Sequence, residues 1–401
     1  LRGDSAARRQ RIGFRLYASH ILTVFALAGS NILLGLTVLS APWTVQRPLW
    51  RRRHVPLLRP TAAYLILLAI SIALSYDPEV SRRAASGFFH FTTLLLALWL
   101  VRAEKDARAL VTAFVLMATL TGAYGLVQVA AGFDNLGNRI TGPFSHYMTF
   151  SGVLLLADML LLARMATAGW RGRLWPGAHP LWSWLALGVI NATLLASLTR
   201  NAWIGGAVAV TVLLACTARR ALLVLVPAVA LVLWLVPAGV SSRVTSIFDL
   251  TEPSNYDRLC MTYAGLHMVA ERPLFGIGPE MVPHRYAIYR HPTAPRYWVP
   301  HLHSSYLNLA AERGLAGLAA FLWLFLVGGR EALRRLRREG GLTGPRADLY
   351  LGAFVALLAL GVAGLFEDYW RDSEIQRVCL FLLALPFALA APDASRKNPV
   401  E

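Results

Sequence analysis

The sequence predicts an all-α polytopic membrane protein with about twelve transmembrane helices. Three observations lead there. Of 401 residues, 56% are hydrophobic and only 15% are charged, whereas soluble domains carry roughly 25% charged residues. Apolar runs recur along almost the whole chain, among them Ser145 to Ala163, Ala221 to Val240 and Gly314 to Val327. About 20 such residues cross a bilayer. Basic residues gather between the runs, as they do in cytoplasmic loops.

That last pattern also accounts for the net charge of +17, so nucleic acid is not an expected partner. The three cysteines, Cys216, Cys260 and Cys379, are scattered and offer neither a disulfide framework nor zinc spacing. The basic stretch RRQRIGFR resembles the start of a signal peptide. The apolar stretch after it runs on towards further spans, which reads as an anchor.

Placing Arg8, Arg9, Arg11 and Arg15 in the cytoplasm fixes the threading. Arg47, Arg51, Arg52, Arg53 and Arg59 belong on the same side. Two short helices turning near Gly29 to Asn31 satisfy both clusters. Further spans are expected at Pro56 to Ser75, Ser86 to Val101, Arg108 to Ala131, Ser145 to Ala163, Leu181 to Leu198, Ala202 to Thr217 and Ala221 to Gly239. After a long loop come His303 to Val327, Asp348 to Phe366 and Ile375 to Ala391. The chain thus divides into N-terminal spans (1–239), a loop region (240–302), C-terminal spans (303–391) and a cytoplasmic tail (392–401). No internal repeat is apparent, which argues against an inverted-repeat transporter.

The loop 240–302 falls outside the cytoplasm on this threading. A loop of that length is usually functional, and its aromatics, including Tyr256, Tyr263, Tyr297 and Trp298, argue against disorder. Arg258 to Ala270 puts Leu259, Tyr263, Leu266 and Ala270 on one helical face, as in a helix lying at the membrane surface or against the bundle. The stretch FGIGP, Phe275 to Pro279, reads as a tight turn.

Ionisable residues at a membrane boundary are candidate functional groups. Arg200 lies in SLTRNAWIGG between two apolar spans with almost no loop. Its plain alternative is snorkelling to the headgroups. Arg258 lies in NYDRLCMTY, and its plain alternative is a pair with Asp257 or another nearby acid. In HLHSSYLNLAAERG, His301 and His303 stand two residues apart at the mouth of a span. They are surface rings of no special role, an acid–base pair, or metal ligands lacking a carboxylate to complete the shell. Asp158 inside a span reads as a buried polar contact rather than a proton relay.

Three stretches in register resemble segments shared by O-antigen ligases and O-antigen polymerases: SLTRNAWIGG, NYDRLCMTYAGLHMVAERPLFGIGPEMV and HLHSSYLNLAAERGLAGLAAFLWLF. The most specific part is His-Ser-x-Tyr-Leu followed by Glu-x-Gly-x-x-Gly. The family often has Asn where this chain has Ser304. The resemblance implies a glycosyltransferase C type fold with a large, partly helical periplasmic loop, in the bacterial inner membrane. It implies a lipid-linked polysaccharide ligase acting between an undecaprenyl diphosphate-linked glycan and a lipid A-core sugar, with membrane lipids around it and no metal or other cofactor. By position, His303 is the expected catalytic base, and Arg200 and Arg258 the expected diphosphate-binding arginines. His301, Tyr306, Arg272 and Arg285 complete the expected substrate contacts, although His301 has no counterpart in the family pattern. A polymerase of the same family or a related oligosaccharyltransferase, and, in a different class, a lipid-linked glycan transporter are the alternatives.

Overall fold

The computed structural model describes residues 2–45, 55–135, 137–169, 171–224, 227, 234, 246, 249 and 251–389. The first nine helices are α1 (Arg2–Leu22), α2 (Leu27–Thr44), α3 (Leu58–Ala73), α4 (Pro78–Ser81), α5 (Ser86–Leu100), α6 (Glu104–Ala130), α7 (Tyr147–Thr167), α8 (Leu181–Ala196) and α9 (Arg200–Thr217). They are followed by α10 (Pro253–Glu271), α11 (Val282–Tyr289), α12 (Ser305–Arg338), α13 (Ala347–Ala363) and α14 (Ser373–Ala388). Two short antiparallel strands, β1 (Asp134–Asn135) and β2 (Asn138–Arg139), join α6 to α7.

Five helical segments among the described residues are long and apolar enough to cross a membrane: Pro78–Leu100, Glu104–Ala130, Tyr147–Thr167, Arg200–Thr217 and Ser305–Arg338. Shorter apolar helices cover Leu58–Ala73, Leu181–Ala196 and Ala347–Ala363. The chain is a multi-pass, all-helical membrane protein. Nearly every residue of α7 is buried, and so is most of α13 and α14. A helix apolar on all sides belongs inside a bundle, and α7 and α9 both pack along α13 and against each other.

The expected N-terminal helix pair is present, but its turn comes earlier than Gly29 to Asn31. A short 3₁₀ turn at Thr23–Phe25 ends α1. The side chain of His20 explains the position. Its Nδ1 lies 3.0 Å from Ser30 O, and Ser30 Oγ donates to His20 O at 3.0 Å, so the hairpin closes around these two residues and Gly29 stays helical. The expected span 221–239 and the arginines at 47 and 51–53 fall mostly or wholly outside the described residues, as does the tail 392–401.

The helix ends sort into two groups. At one end Arg108 reaches Asp348 at 2.5 Å, Arg164 lies 3.4 Å from the same carboxylate, and Arg346 bridges Glu104 and Glu339 at 3.3 and 3.2 Å. This network ties together α6, α7, α12 and α13. The other end collects α10, α11, the β1–β2 hairpin, the start of α12 and the α13–α14 loop.

At that second end, two glycine motifs turn out to be halves of one crossing. The helix α12 breaks at Gly314 (φ 71°, ψ 175°), a conformation open essentially to glycine alone. The Phe275–Pro279 stretch lies across the break. Ile277 N donates to Ala311 O (2.9 Å), Gly278 N to Glu312 O (3.0 Å) and Leu315 N to Pro273 O (2.7 Å). A Cβ on Gly314 would sit 2.1 Å from Leu274 O, and one on Gly276 2.4 Å from Glu312 O. Beyond the break α12 continues past the expected end at Val327, stabilised by Glu331 pairing with Arg334 and Arg335 one turn on.

Candidate functional site

Glu367 organises the site. It lies in the α13–α14 loop, nearly buried, and the start of α12 holds it in place. Ser305 N donates to Gly364 O (2.8 Å), and Ser305 Oγ donates to Glu367 O (3.1 Å). Ser304 caps α12, its Oγ accepting from Leu307 N at 3.3 Å. Asn fills an N-cap as well as Ser does, so Ser304 in place of the family's usual Asn leaves the helix start intact.

Immediately before the cap, His303 adopts φ +48°. A histidine at positive φ is uncommon, and such strain gathers at functional sites. The turn presents the ring to the loop, where Nδ1–H donates to Glu367 Oε2 at 2.8 Å. His301 supports the turn from behind, its Nδ1 accepting from His303 N at 3.2 Å. The two rings stand edge to face with centroids 4.4 Å apart. His301 Nε2 lies 3.5 Å from Glu367 Oε1, and Arg258 3.8 Å from Glu367 Oε2.

Burial alone would raise the Glu367 carboxyl, but His303, His301 and Arg258 outweigh it and hold the group down to about 2. Glu367 is therefore an anion at any working pH. Burial lowers His301 to about 4, against the pull of Glu367, so its ring is neutral near pH 7, as an acceptor of the His303 N–H must be.

His301, His303 and Arg258 line a cavity of about 510 Å³ together with Arg139, His146 and Tyr147. A smaller recess continues from it past Arg139 and Arg258 to Arg200. The sequence thus brings His301, His303, Arg258 and Arg200 to one place. Arg258 does not pair with Asp257, which is taken by Arg296 at 3.0 Å. Arg200 starts α9 after Leu198, itself at φ +53°. Its guanidinium is engaged by the loop: NH1 donates to Ser246 Oγ (2.9 Å), and NH2 to Asn255 Oδ1 (2.8 Å) and Glu252 Oε2 (3.3 Å).

Three other expected substrate contacts lie elsewhere. Arg272 and Arg285 both stack on Tyr76, with 3.9 and 4.4 Å to the ring centroid, and neither lines the cavity. Tyr306 donates to Gly361 O at 2.6 Å and is not among the residues lining the His303 cavity. Asp158 is the expected buried contact, accepting from Asn191 Nδ2 at 2.7 Å.

Glu367, Arg139 and His146 were not singled out by sequence reasoning. The signal for Glu367 was the acidic run FEDYWRD between two apolar spans, on the same side as the long loop. Glu367 also supplies the carboxylate that a metal site built on the two histidines lacked. One ligand atom from each of His301, His303 and Glu367 lies within 4.8 Å of the others. However, the 2.8 Å separation of His303 and Glu367 is a hydrogen-bond length. Donors around a tetrahedral ion with bonds of about 2.0 Å stand about 3.3 Å apart. The arrangement suits a carboxylate-oriented imidazole better than a metal shell.

Fold and site together define a multi-pass helical membrane protein with a histidine–carboxylate pair and arginines facing a cavity at one end of the bundle. Residues 183–322 match the family model described as O-antigen ligase, which makes this part of the chain similar to that family. No curated protein matches the chain. The matched stretch contains Arg200, Arg258, His301 and His303 but ends before Glu367.

Proposed function

We propose that the protein is an O-antigen ligase. It transfers O-antigen polysaccharide from undecaprenyl diphosphate to a sugar hydroxyl of lipid A-core, in the bacterial inner membrane with the cavity facing the periplasm. The observation that carries this reading is the convergence of His303 and Arg258 on one cavity, with the buried Glu367 carboxylate behind both. A sugar hydroxyl is a poor nucleophile until a base takes its proton. With Nδ1 committed to Glu367, Nε2 is the nitrogen of His303 left for that proton. The Glu367 anion then stabilises the imidazolium as it forms, the role a carboxylate plays behind other catalytic histidines. As the acceptor oxygen attacks the anomeric carbon, the bond to the diphosphate breaks and inverts that centre. The leaving oxygen gains negative charge, which Arg258 is placed to stabilise with fixed donors. Guanidinium groups take over the charge neutralisation that a metal ion gives other transferases, so no metal is needed.

The test is a deletion strain complemented by wild-type protein or by His303→Ala. A ligase predicts loss of polymer from lipopolysaccharide while long lipid-linked chains persist. Accumulation of single lipid-linked repeat units would instead identify a polymerase, and undiminished polymer on the core would overturn both.

A further inference from the structure

A second cavity, larger than the one at His303, lies elsewhere among the described residues. It is an open groove of about 920 Å³ between α12 and α13. Its walls are apolar, with Leu322, Leu326 and Leu333 of α12 facing Phe354, Leu357 and Leu358 of α13. The α12 side forms a single stripe at helical spacing, and the stripe ends in Arg330, Arg334, Arg337 and Arg338. The lining contains four arginines and no acid. Of the lining arginines Arg334 pairs with Glu331 at 2.7 Å, as does Arg335 on another face of the same turns at 2.8 Å. From Leu322 to Arg338 the helix rises about 24 Å, enough for the acyl chains of one leaflet with a headgroup at the end.

We propose that this groove binds an anionic phospholipid from the leaflet opposite the His303 cavity. The acyl chains lie along the Leu and Phe walls, and the phosphate is held by the arginines at the end of α12. Basic residues at the end of a span are common for topological reasons alone. Here they do more than mark a side, because they close one end of an apolar trough. That combination matches an amphiphile with a negative head. Guanidinium forks bind phosphate oxygens in pairs, whereas a neutral or zwitterionic head leaves the cluster without a net countercharge.

Native mass spectrometry of the full chain, with phosphatidylglycerol and phosphatidylcholine of identical acyl chains, tests the proposal. Phosphatidylglycerol should be retained with at least about tenfold higher affinity. The triple variant Arg330→Gln/Arg337→Gln/Arg338→Gln should bring that preference below about threefold. All three side chains are exposed, so the fold should survive. A second variant, Gly329→Trp, fills the trough and leaves the arginines in place. A Cβ at Gly329 meets only the Phe354 ring at 3.7 Å, so the first atom of the new side chain is accommodated. This variant should lose retention of phosphatidylglycerol. Equal binding of the two lipids, or an unchanged preference in either variant, would overturn the proposal. So would a dimer that excludes lipid, or lipid uptake only after residues 390–401 are removed, since the groove would then belong to a second copy or to the chain's own end.

Discussion

His303 Nδ1 and Glu367 Oε2 are 2.8 Å apart, although 64 residues separate them in sequence. The contact is made by construction of the backbone on both sides. His301 and the φ of +48° turn the ring towards the loop, and Ser305 fixes the loop under it. A charged acceptor on Nδ1 sets the ring's tautomer and orientation.

Glu367→Gln is therefore expected to lower transfer without weakening donor binding. General base catalysis is worth about 10²–10⁴-fold, so a loss of roughly 10²-fold in kcat with an unchanged donor KM is the expected result. Loss of donor binding alone would assign Glu367 to the substrate and not to the ring.

The two arginines should separate experimentally. Arg258 faces the cavity and Glu367, whereas Arg200 is nearly buried among Ser246, Glu252 and Asn255. Arg258→Ala should raise donor KM with little change in Tm. Arg200→Ala removes several hydrogen bonds to a charged group, each worth about 1.5–3 kcal/mol, and should lower Tm as well as activity. Lys should restore Arg200 only in part, because a point charge cannot reproduce the fork. A Tm loss confined to Arg258→Ala would reverse these roles.

Much of the bundle was legible in the sequence because span length and apolar continuity are local signals. The helices α3, α5, α6, α7, α8, α13 and α14 lie close to where the apolar runs place them. The N-terminal turn was misplaced because the arginine clusters require only that the chain turn back, while the His20–Ser30 hydrogen bonds that set its position are tertiary. At the site, Arg258 and the two histidines were found from charge at a membrane mouth. Glu367 was missed because its meaning comes only from residues more than 60 positions away. Arg272 and Arg285, two of the expected substrate contacts, stack on the Tyr76 ring and do not line the cavity. The face of α10 carrying Leu259, Tyr263 and Leu266 was read correctly as one stripe. It is exposed, while Cys260, Met261 and Met268 face the protein.

The contribution of the His301–Glu367 cluster to stability should be lost on acidification in two stages. His301 is held at about 4 against an ordinary 6.5, so between these values the unfolded chain binds a proton that the folded one refuses, and stability falls. Glu367 is held at about 2 against 4.5, and its contribution, complete above 4.5, is lost as pH falls through that range. Against variants that lack these groups, the wild-type protein should lose more Tm below pH 6.5 through His301 and below 4.5 through Glu367. His301→Asn should flatten the upper stage and Glu367→Gln the lower. Variants with the wild-type slope throughout would place the acid sensitivity elsewhere.

Gly314 should not tolerate alanine. Its φ of 71° with ψ of 175° strains any side chain, and a Cβ would lie 2.1 Å from Leu274 O. Either the break in α12 or the Pro273–Gly278 crossing must move. Strained backbone of this kind costs about 1–3 kcal/mol before the clash is counted, so Gly314→Ala should lower Tm sharply and reduce activity by displacing the start of α12. Gly341→Ala has a similar φ of 63° but nothing within 4 Å, and it serves as the control for strain without the clash. Equal, small Tm losses in both would show that the crossing does not depend on close backbone contact.

The two histidines differ in what they offer, and substitution should expose the difference. His303→Ala removes the proton acceptor and leaves Arg258 and Arg200, so donor binding should survive while transfer falls by about 10²-fold or more. His301 contributes through Nδ1, which accepts the His303 N–H. An asparagine side chain can accept a backbone N–H two residues on, so His301→Asn should keep most of the activity that His301→Ala loses. That rescue also discriminates against a metal. If His301, His303 and Glu367 held a divalent cation, Asn would be a poor replacement for imidazole, and both His301 variants would fail alike. EDTA treatment of the purified protein, assayed with lipid-linked donor and core acceptor, completes the comparison. Activity should persist in EDTA. Abolition by EDTA and restoration by zinc, together with no rescue by His301→Asn, would make the three residues ligands and remove His303 as the base.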